Sequence, residues 1–474
     1  MNREKQLVKN TAIITIGKIG TQFVSFFLLP LYTKLLSTEE YGIVDLLNTY
    51  ITLLVPIVTL QIEQSLFRYL IDYREDENGK KKIITTVILS VIVQCLIYLG
   101  IYIIIGRFIQ NEYKYFLATN VVACIFSSIM LQISRGLGDN LTYTKGTFIS
   151  AISIILFNIL FIVGFNMGAY GMIISSLISN LLSATYIFIK KKVIKYIDIK
   201  TLNLKKLKEM YKYSVPLIPN AISWWVVNAS DRTIITTVLG TSANGIYSAA
   251  NKFSNLFIVF YNIFNITWTE AAAVHINDQD KEEFFSKIIN TSFRIFSCIG
   301  LLIIAIMPFL FNILINEKFG EAYYQIPILM LSTLFNIVVG LFSVVYVAKK
   351  LTKEIAKTSI ISAMINIISN MLLIRYIGLY AASISTVIAY FVMAITRYFD
   401  IKKYIKIKIS KKLILSITII MILLFITYYY NNIYMNFIML FVTMIYSIIV
   451  NRDLIKIIKP VLQKVKIKFQ KGER

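Results

Sequence analysis

The chain has 474 residues, of which 57% are hydrophobic and 16% charged, and its formal net charge is +24. Soluble domains carry about 25% charged residues, and apolar runs longer than the roughly 20 residues that cross a bilayer recur along the whole sequence, so a water-soluble fold is excluded. The positive excess invites a nucleic-acid reading, which the distribution of the charges makes unnecessary.

Hydropathy predicts fourteen spanning helices, near 11–35, 42–69, 83–105, 115–134, 146–166, 169–189, 213–239, 244–268, 287–314, 323–348, 356–375, 378–398, 411–430 and 433–450. The run behind the charged Met1–Asn10 is too long for a cleaved signal segment and continues as a span. Leu28–Leu47 reads as the tip of a helical hairpin: an apolar run ends at Leu36, Ser37-Thr38-Glu39-Glu40 turns the corner, and Tyr41-Gly42-Ile43 opens the next helix. Thr236–Ala249 repeats the pattern. Gly42-Ile43 and Gly245-Ile246 lie 203 positions apart, and Asn48 falls on Asn251 at that offset. Gly168-Ala169-Tyr170 and Gly378-Leu379-Tyr380 form a second echo, 210 apart.

Two blocks repeated in the same order predict a two-lobed, all-α integral membrane protein. One six-helix lobe covers 1–192 and the other 213–400, related by a pseudo-twofold axis. A basic linker at 193–212 divides them, and Leu202, Leu204, Leu207 and Met210 mark an interfacial amphipathic helix within it. The last two helices and a basic tail, 401–474, fall outside the repeat.

Lysine and arginine orient the chain. With the N-terminus inside, 39 of the 49 fall on inner segments and five on outer ends, namely Lys34, Arg107, Lys114, Lys318 and Arg375. Both termini are therefore expected in the cytoplasm of a bacterial cell, with the basic loops facing anionic headgroups of the plasma membrane.

Catalytic signatures are scarce. The single histidine, His275, lies in an inner loop beside Asn277, Asp278 and Asp280 without partners at metal-ligand spacing. The three cysteines, Cys95, Cys124 and Cys298, sit in apolar runs and read as small buried side chains. The sequence has no G-x-x-x-x-G-K-[ST] for ATP. No enzyme, metal or cofactor is expected, and movement of a cargo would draw on a gradient, on the cargo or on a partner.

What remains is charge inside the membrane: Lys18, Glu63, Arg68, Asp231, Arg232, Lys252 and Arg294. Each costs on the order of 2.5–3.5 kcal/mol at mid-bilayer by insertion scales, so each is expected to face a partner or a cavity. They gather in the opening helices of each repeat. Asp45, Asn48 and Thr52 share one helical face, as do Asn251, Asn255 and Asn262, while Asn220 and Asn228 line the seventh helix. An amide-lined cationic cleft suits an anionic, hydroxyl-rich cargo such as a sugar phosphate. Plainer readings stand beside this one. Lys18 is near enough to the inner surface to snorkel, Glu63 and Arg68 can pair with each other, and Arg294 can simply mark the inner end of the ninth helix. Asp231 can neutralise Lys252 or Lys18 and leave Arg232 free. Trp224-Trp225 fits either a shelf for sugar rings or ordinary packing. Pro30, Pro56, Pro216 and Pro219 interrupt the opening helices, as bending or as packing kinks would require.

With these residues in view, the chain resembles the polysaccharide-biosynthesis flippases, the Wzx-type repeat-unit translocases of the multidrug/oligosaccharidyl-lipid/polysaccharide superfamily. The resemblance is carried by Gly17-Lys18-Ile19-Gly20, by Leu29-Pro30-Leu31-Tyr32-Thr33-Lys34-Leu35-Leu36 with Glu40-Tyr41-Gly42 and Asp45-Leu46, and by Val215-Pro216 to Pro219. It continues through Asp231-Arg232, Leu239-Gly240, Gly245-Ile246-Tyr247-Ser248 and Lys252-Phe253. It implies transfer of undecaprenyl-diphosphate-linked oligosaccharide from the inner to the outer leaflet, for O-antigen or capsule assembly, by alternating access through a cationic cavity. Lys18, Arg232 and Lys252 would meet the headgroup, with Asn48, Asn251, Asn255 and Arg68 as further cargo contacts. Asp45, Asp231 and Glu63 would be charge partners or sites of H+ or Na+ coupling, and polysaccharide-assembly proteins would be partners. A lipid II flippase, a multidrug exporter and a membrane polymerase or ligase are the rivals. Residues Thr11–Leu35 contain no acidic residue, unlike the first lobe of the exporters, and the short outer loops leave little room for a polymerase site.

Overall fold

The computed structural model describes residues 26–108, 112–349, 351–454 and 456, without the side chains of 220, 224, 227, 228 and 352. Lys18 and the glycine-lysine motif around it lie outside them. The described residues form sixteen α-helices and no strand. They run α1 Leu29–Leu35, α2 Thr38–Val58, α3 Ile62–Asp72, α4 Glu77–Gly106, α5 Lys114–Gly136, α6 Asn140–Asn158, α7 Gly168–Lys190, α8 Leu204–Ser214 and α9 Ile218–Leu239. Then come α10 Thr241–His275, α11 Lys281–Leu314, α12 Ala322–Ala348, α13 Thr352–Ile377, α14 Tyr380–Ile401, α15 Lys411–Tyr430 and α16 Ile433–Val450. Twelve of these segments are long and apolar enough to cross a membrane, which makes this a multi-pass membrane protein. The seventh expected span corresponds to α9, with 22 residues, and only the last part of the first, α1, is described.

The second expected span is not one helix. Leu60 and Gln61 adopt φ of 50° and 58°, a left-handed pair that divides α2 from α3. The Thr59 carbonyl freed there accepts from Ile62 N at 3.1 Å and from Gln94 Nε2 at 3.1 Å, so the interrupted ladder is satisfied by α4. Helix starts follow local chemistry. Ser37 and Glu40 form a reciprocal capping box on α2, and Asp76, Asp139, Asn203, Ser410 and Asn432 accept from backbone N–H groups at the starts of their helices.

The described chain gathers into two compact units. The first takes the described residues of Met1–Ala249 with Asn370–Leu379, and the second takes Ala250–Ser369 and the described residues of Tyr380–Arg474. In the first, Ile62, Leu66 and Leu70 of α3 pack with Ile83, Val87, Val121, Ile125 and Ile133. The linker differs from its expected placement. Met210 is fully buried and Leu207 packs on this core, while Ser65 Oγ donates to the Met210 carbonyl at 2.6 Å. Leu207 and Met210 of α8 thus lie against protein, while Leu202 and Leu204 stay exposed.

In the second unit, α15 and α16 pack on α11. Arg294 donates to Asp453 Oδ2 at 2.9 Å, and Asn290 Nδ2 to the Lys408 carbonyl at 2.7 Å. Tyr323 stacks on Tyr428 with ring centroids 4.2 Å apart. Arg294 therefore holds the final helix pair and does more than mark a helix end.

Candidate functional site

The two hairpin tips singled out by the repeat meet inside the first unit. A methyl group on Gly42 would overlap the Thr241 carbonyl oxygen, and one on Gly245 would overlap the Thr38 carbonyl oxygen. Only glycine permits this approach of backbone to backbone. Around it Thr38 Oγ1 and Ser242 Oγ share a hydrogen bond of 2.6 Å, and Asn244 Nδ2 donates to the Gly42 carbonyl at 2.9 Å. Glu40 Oε2 completes the cap of α2 while its Oε1 accepts from Ala169 N at 3.2 Å, which ties the tip to the start of α7.

One helical turn deeper, Asp45 follows Gly42 and Ser248 follows Gly245, each three residues on and hence on the same face. Arg232 Nε donates to Asp45 Oδ2 at 2.7 Å, and Ser248 Oγ donates to the same oxygen at 2.5 Å. Arg232 is buried, at 9% exposure. Two desolvated charges repay their burial only with close geometry and further hydrogen bonds; the serine supplies one. The pairing corrects the expectation that Arg232 is left free: its counter-charge comes from α2, not from its own helix. Its neighbour Asp231 points elsewhere, about 100° around α9, and accepts from Asn370 Nδ2 at 2.9 Å and Tyr247 Oη at 3.2 Å. Trp225 Nε1 donates to the Thr49 carbonyl at 2.8 Å, which binds that indole to α2. Trp224 lies outside the described side chains. Beside this cluster, Asn158 Nδ2 donates to Tyr32 Oη at 2.7 Å, at the point where α6 opens into the π-helical turn Ile159–Gly164.

The other expected residues are spread wider. Glu63 is buried in the first turn of α3, at 5% exposure, and its Oε2 has no hydrogen-bond partner among the described residues. Arg68 does not pair with it. Arg68 Nη1 reaches Asp72 Oδ1 at 2.7 Å on the exposed side of α3, because residues four apart on a helix are neighbours whereas Glu63 and Arg68 point in different directions. Asn48 is exposed on α2 beside Asn120 and Ser176. On α10, Asn251 and Lys252 are half-buried and Asn255 is exposed, and all three fall in the second unit. His275 Nδ1 pairs with Asp278 Oδ2 at 2.6 Å in an exposed turn. Among the described residues no group of three His, Cys, Asp or Glu is placed to hold a metal.

Arg397, counted from sequence among the inner basic residues, is a buried charge at 3% exposure. Its Nε donates to Thr358 Oγ1 at 3.0 Å, Nη2 to Ser359 Oγ at 3.1 Å, and Nη1 to Ser343 Oγ. It fastens α12, α13 and α14 within the second unit. The signal was the hydroxyls of Ser343, Thr358 and Ser359, which only topology brings together.

The family described as "Polysaccharide biosynthesis protein" matches residues 7–269, more than half of the chain. Two Haemophilus influenzae proteins are similar to it: an "Uncharacterized membrane protein", 25% identical over 138 residues, and "Lsg locus putative protein 1", 26% identical over 131 residues. These matches cover 29% and 27% of this chain, and the chain spans about a third of each relative, 33% and 31%. Among solved structures, an inward-facing multidrug resistance MATE family transporter of the MOP superfamily superposes with a TM-score of 0.66 at 14% identity, covering 80% of this chain and 93% of that one. The lipid II flippase MurJ, in an inward closed conformation, gives 0.65 at 18% identity, covering 94% and 100%. The chain thus has the all-α membrane fold of those transporters, and it belongs to the polysaccharide biosynthesis protein family.

Proposed function

We propose that the protein is a flippase, not an enzyme, and that it carries a lipid-linked oligosaccharide, held by its diphosphate, from the cytoplasmic to the outer leaflet of the bacterial plasma membrane. The observation that carries this reading is the buried Arg232–Asp45 pair directly beneath a glycine crossing of two repeated hairpins. A cation held in place by a protein carboxylate can exchange that partner for a phosphate. A crossing that depends on two glycines and a few polar contacts can part without unfolding a core. Together they make a gate whose latch competes with the cargo for one guanidinium. Lys18 and Lys252 would add positive charge, and Asn48, Asn251 and Asn255 amides, to the sugar path. The basic segments set both termini in the cytoplasm, and Glu63, buried with one oxygen unpartnered, is the carboxyl best suited to carry a coupling proton.

The test is the position of lipid-linked oligosaccharide after depletion, read in spheroplasts with a membrane-impermeant sugar-modifying reagent and in permeabilised cells as the total. Labelling confined to permeabilised cells, restored by wild type and not by Arg232→Ala, is the expected result. Single repeat units that remain fully labelled in intact spheroplasts would overturn the reading and indicate a polymerase. Accumulated lipid II in place of the oligosaccharide would reassign the cargo.

A further inference from the structure

The stretch between α7 and α9 displays apolar side chains for which the fold has no use. Its backbone is pinned to the start of α4. Thr85 Oγ1 donates to the Tyr196 carbonyl at 2.7 Å and accepts from Asp198 N at 3.0 Å, and Thr86 Oγ1 accepts from Asn203 N at 3.2 Å. Two 3-10 turns, Val193–Tyr196 and Ile199–Thr201, shape the segment between those anchors. The pinning turns Val193 into the core at 0% exposure and leaves Ile194, Ile199 and Leu204 at 63%, 72% and 70%. These three are not lipid-facing positions of a span, because no candidate span includes them. Lys192, Lys195 and Lys200 alternate with them and are exposed as well. Lys191 and Lys206 are occupied by Asp139 and Glu209, whereas these three lysines form no ion pair with the described residues.

We propose that this pinned surface binds anionic phospholipid of the leaflet it borders, with Ile194, Ile199 and Leu204 entering below the headgroups and Lys192, Lys195 and Lys200 meeting the phosphates. Apolar insertion and basic attraction are each weak alone and sufficient in combination. The occupant is a lipid and not an acidic protein for a geometric reason. The segment follows directly on α7, a helix long and apolar enough to cross the membrane, which ends at Lys190, so it runs at headgroup depth. This inference is independent of what the protein transports.

Ile199→Cys, labelled with bimane in a background where Cys95, Cys124 and Cys298 are alanine, would be placed in nanodiscs containing brominated phosphatidylglycerol or brominated phosphatidylcholine. The expected result is stronger quenching by the brominated phosphatidylglycerol. Its apparent affinity should fall about fivefold for each of Lys192, Lys195 and Lys200 changed to Gln. Equal quenching by the two lipids would overturn the proposal, as would quenching by aqueous iodide alone, which would hand the surface to a soluble partner. Should the cysteine-free background aggregate, native mass spectrometry of the otherwise unaltered chain decides. Fewer bound phosphatidylglycerol molecules in the triple lysine variant support the site, and an unchanged number rejects it.

Discussion

At Gly42 and Gly245 the fold has room for a hydrogen and nothing larger, since the obstructing atoms are backbone carbonyl oxygens that cannot rotate away. Gly42→Ala should therefore destabilise the detergent-solubilised protein by about 1–3 kcal/mol, the usual range for overpacking. Gly100→Ala, where an added Cβ meets nothing within 4 Å, should gain about 1 kcal/mol from helix propensity. Thermal melts of the two variants side by side would expose an error if both moved the same way. Asp45→Asn removes the carboxylate to which the buried Arg232 donates and should cost about 3–5 kcal/mol. Asp45→Asn with Arg232→Gln, which removes both charges, should recover much of that loss, and a double-mutant cycle in melting free energy measures the coupling. Sequence placed Arg232 among the charges inside the membrane and Asp45 on a polar helical face, with the resemblance implying a charge partner or coupling site there, but not that the two face each other. That information lies in the crossing of α2 with α9, 187 residues apart in the chain.

Helices as wholes were easier to read than their interruptions. Long apolar runs located the spans, because nothing else in a chain accounts for stretches that match the bilayer. The break at Leu60–Gln61 gave no such sign, since neither residue is a glycine or asparagine, and the Gln94 side chain that satisfies the Thr59 carbonyl beside it comes from another helix. The face of α8 was misassigned for a related reason: an amphipathic pattern shows that one side is apolar, not whether lipid or protein covers it. Termini of elements respond to single residues. Asp139 caps α6 by accepting from Thr142 N at 2.9 Å and Thr142 Oγ1 at 2.7 Å, and it also pairs with Lys191. Partial burial pushes its carboxyl up, but the Lys191 ammonium and the Thr142 donors outweigh it and bring the pKa down to about 2. A depressed carboxyl adds stability only above its unfolded value near 4, and that stability is lost as pH falls from about 4 toward 2. Asp139→Ala should lower stability by about 1 kcal/mol at pH 7 and change little near pH 2, which melts at the two pH values would check.

On the scale of the molecule, the repeat predicted from sequence puts its two hairpin tips in one place, and the gate reading requires them to separate during transport. Thr38→Cys with Ser242→Cys, at positions whose hydroxyls lie 2.6 Å apart, should form a disulfide on oxidation. The cross-link should stop translocation by at least tenfold, reversed by reductant. Undiminished transport by the cross-linked protein would show that the tips never part. The crossing has a further consequence. Gly42 meets Gly245 and Asp45 meets Ser248, each pair joining positions 203 apart, and Gly42 lies against Thr241 as Gly245 lies against Thr38, so the centre of the contact is reciprocal across the repeat. This is the self-complementary geometry of a twofold dimer interface, written into a single chain. A half-length protein associating in this way would bring Asp45 against a second Asp45, two like charges at hydrogen-bond distance. Joining the halves lets the second site be a serine and the first acquire an arginine, so the fused chain can hold one charge of each sign on an axis where a symmetric pair would repel.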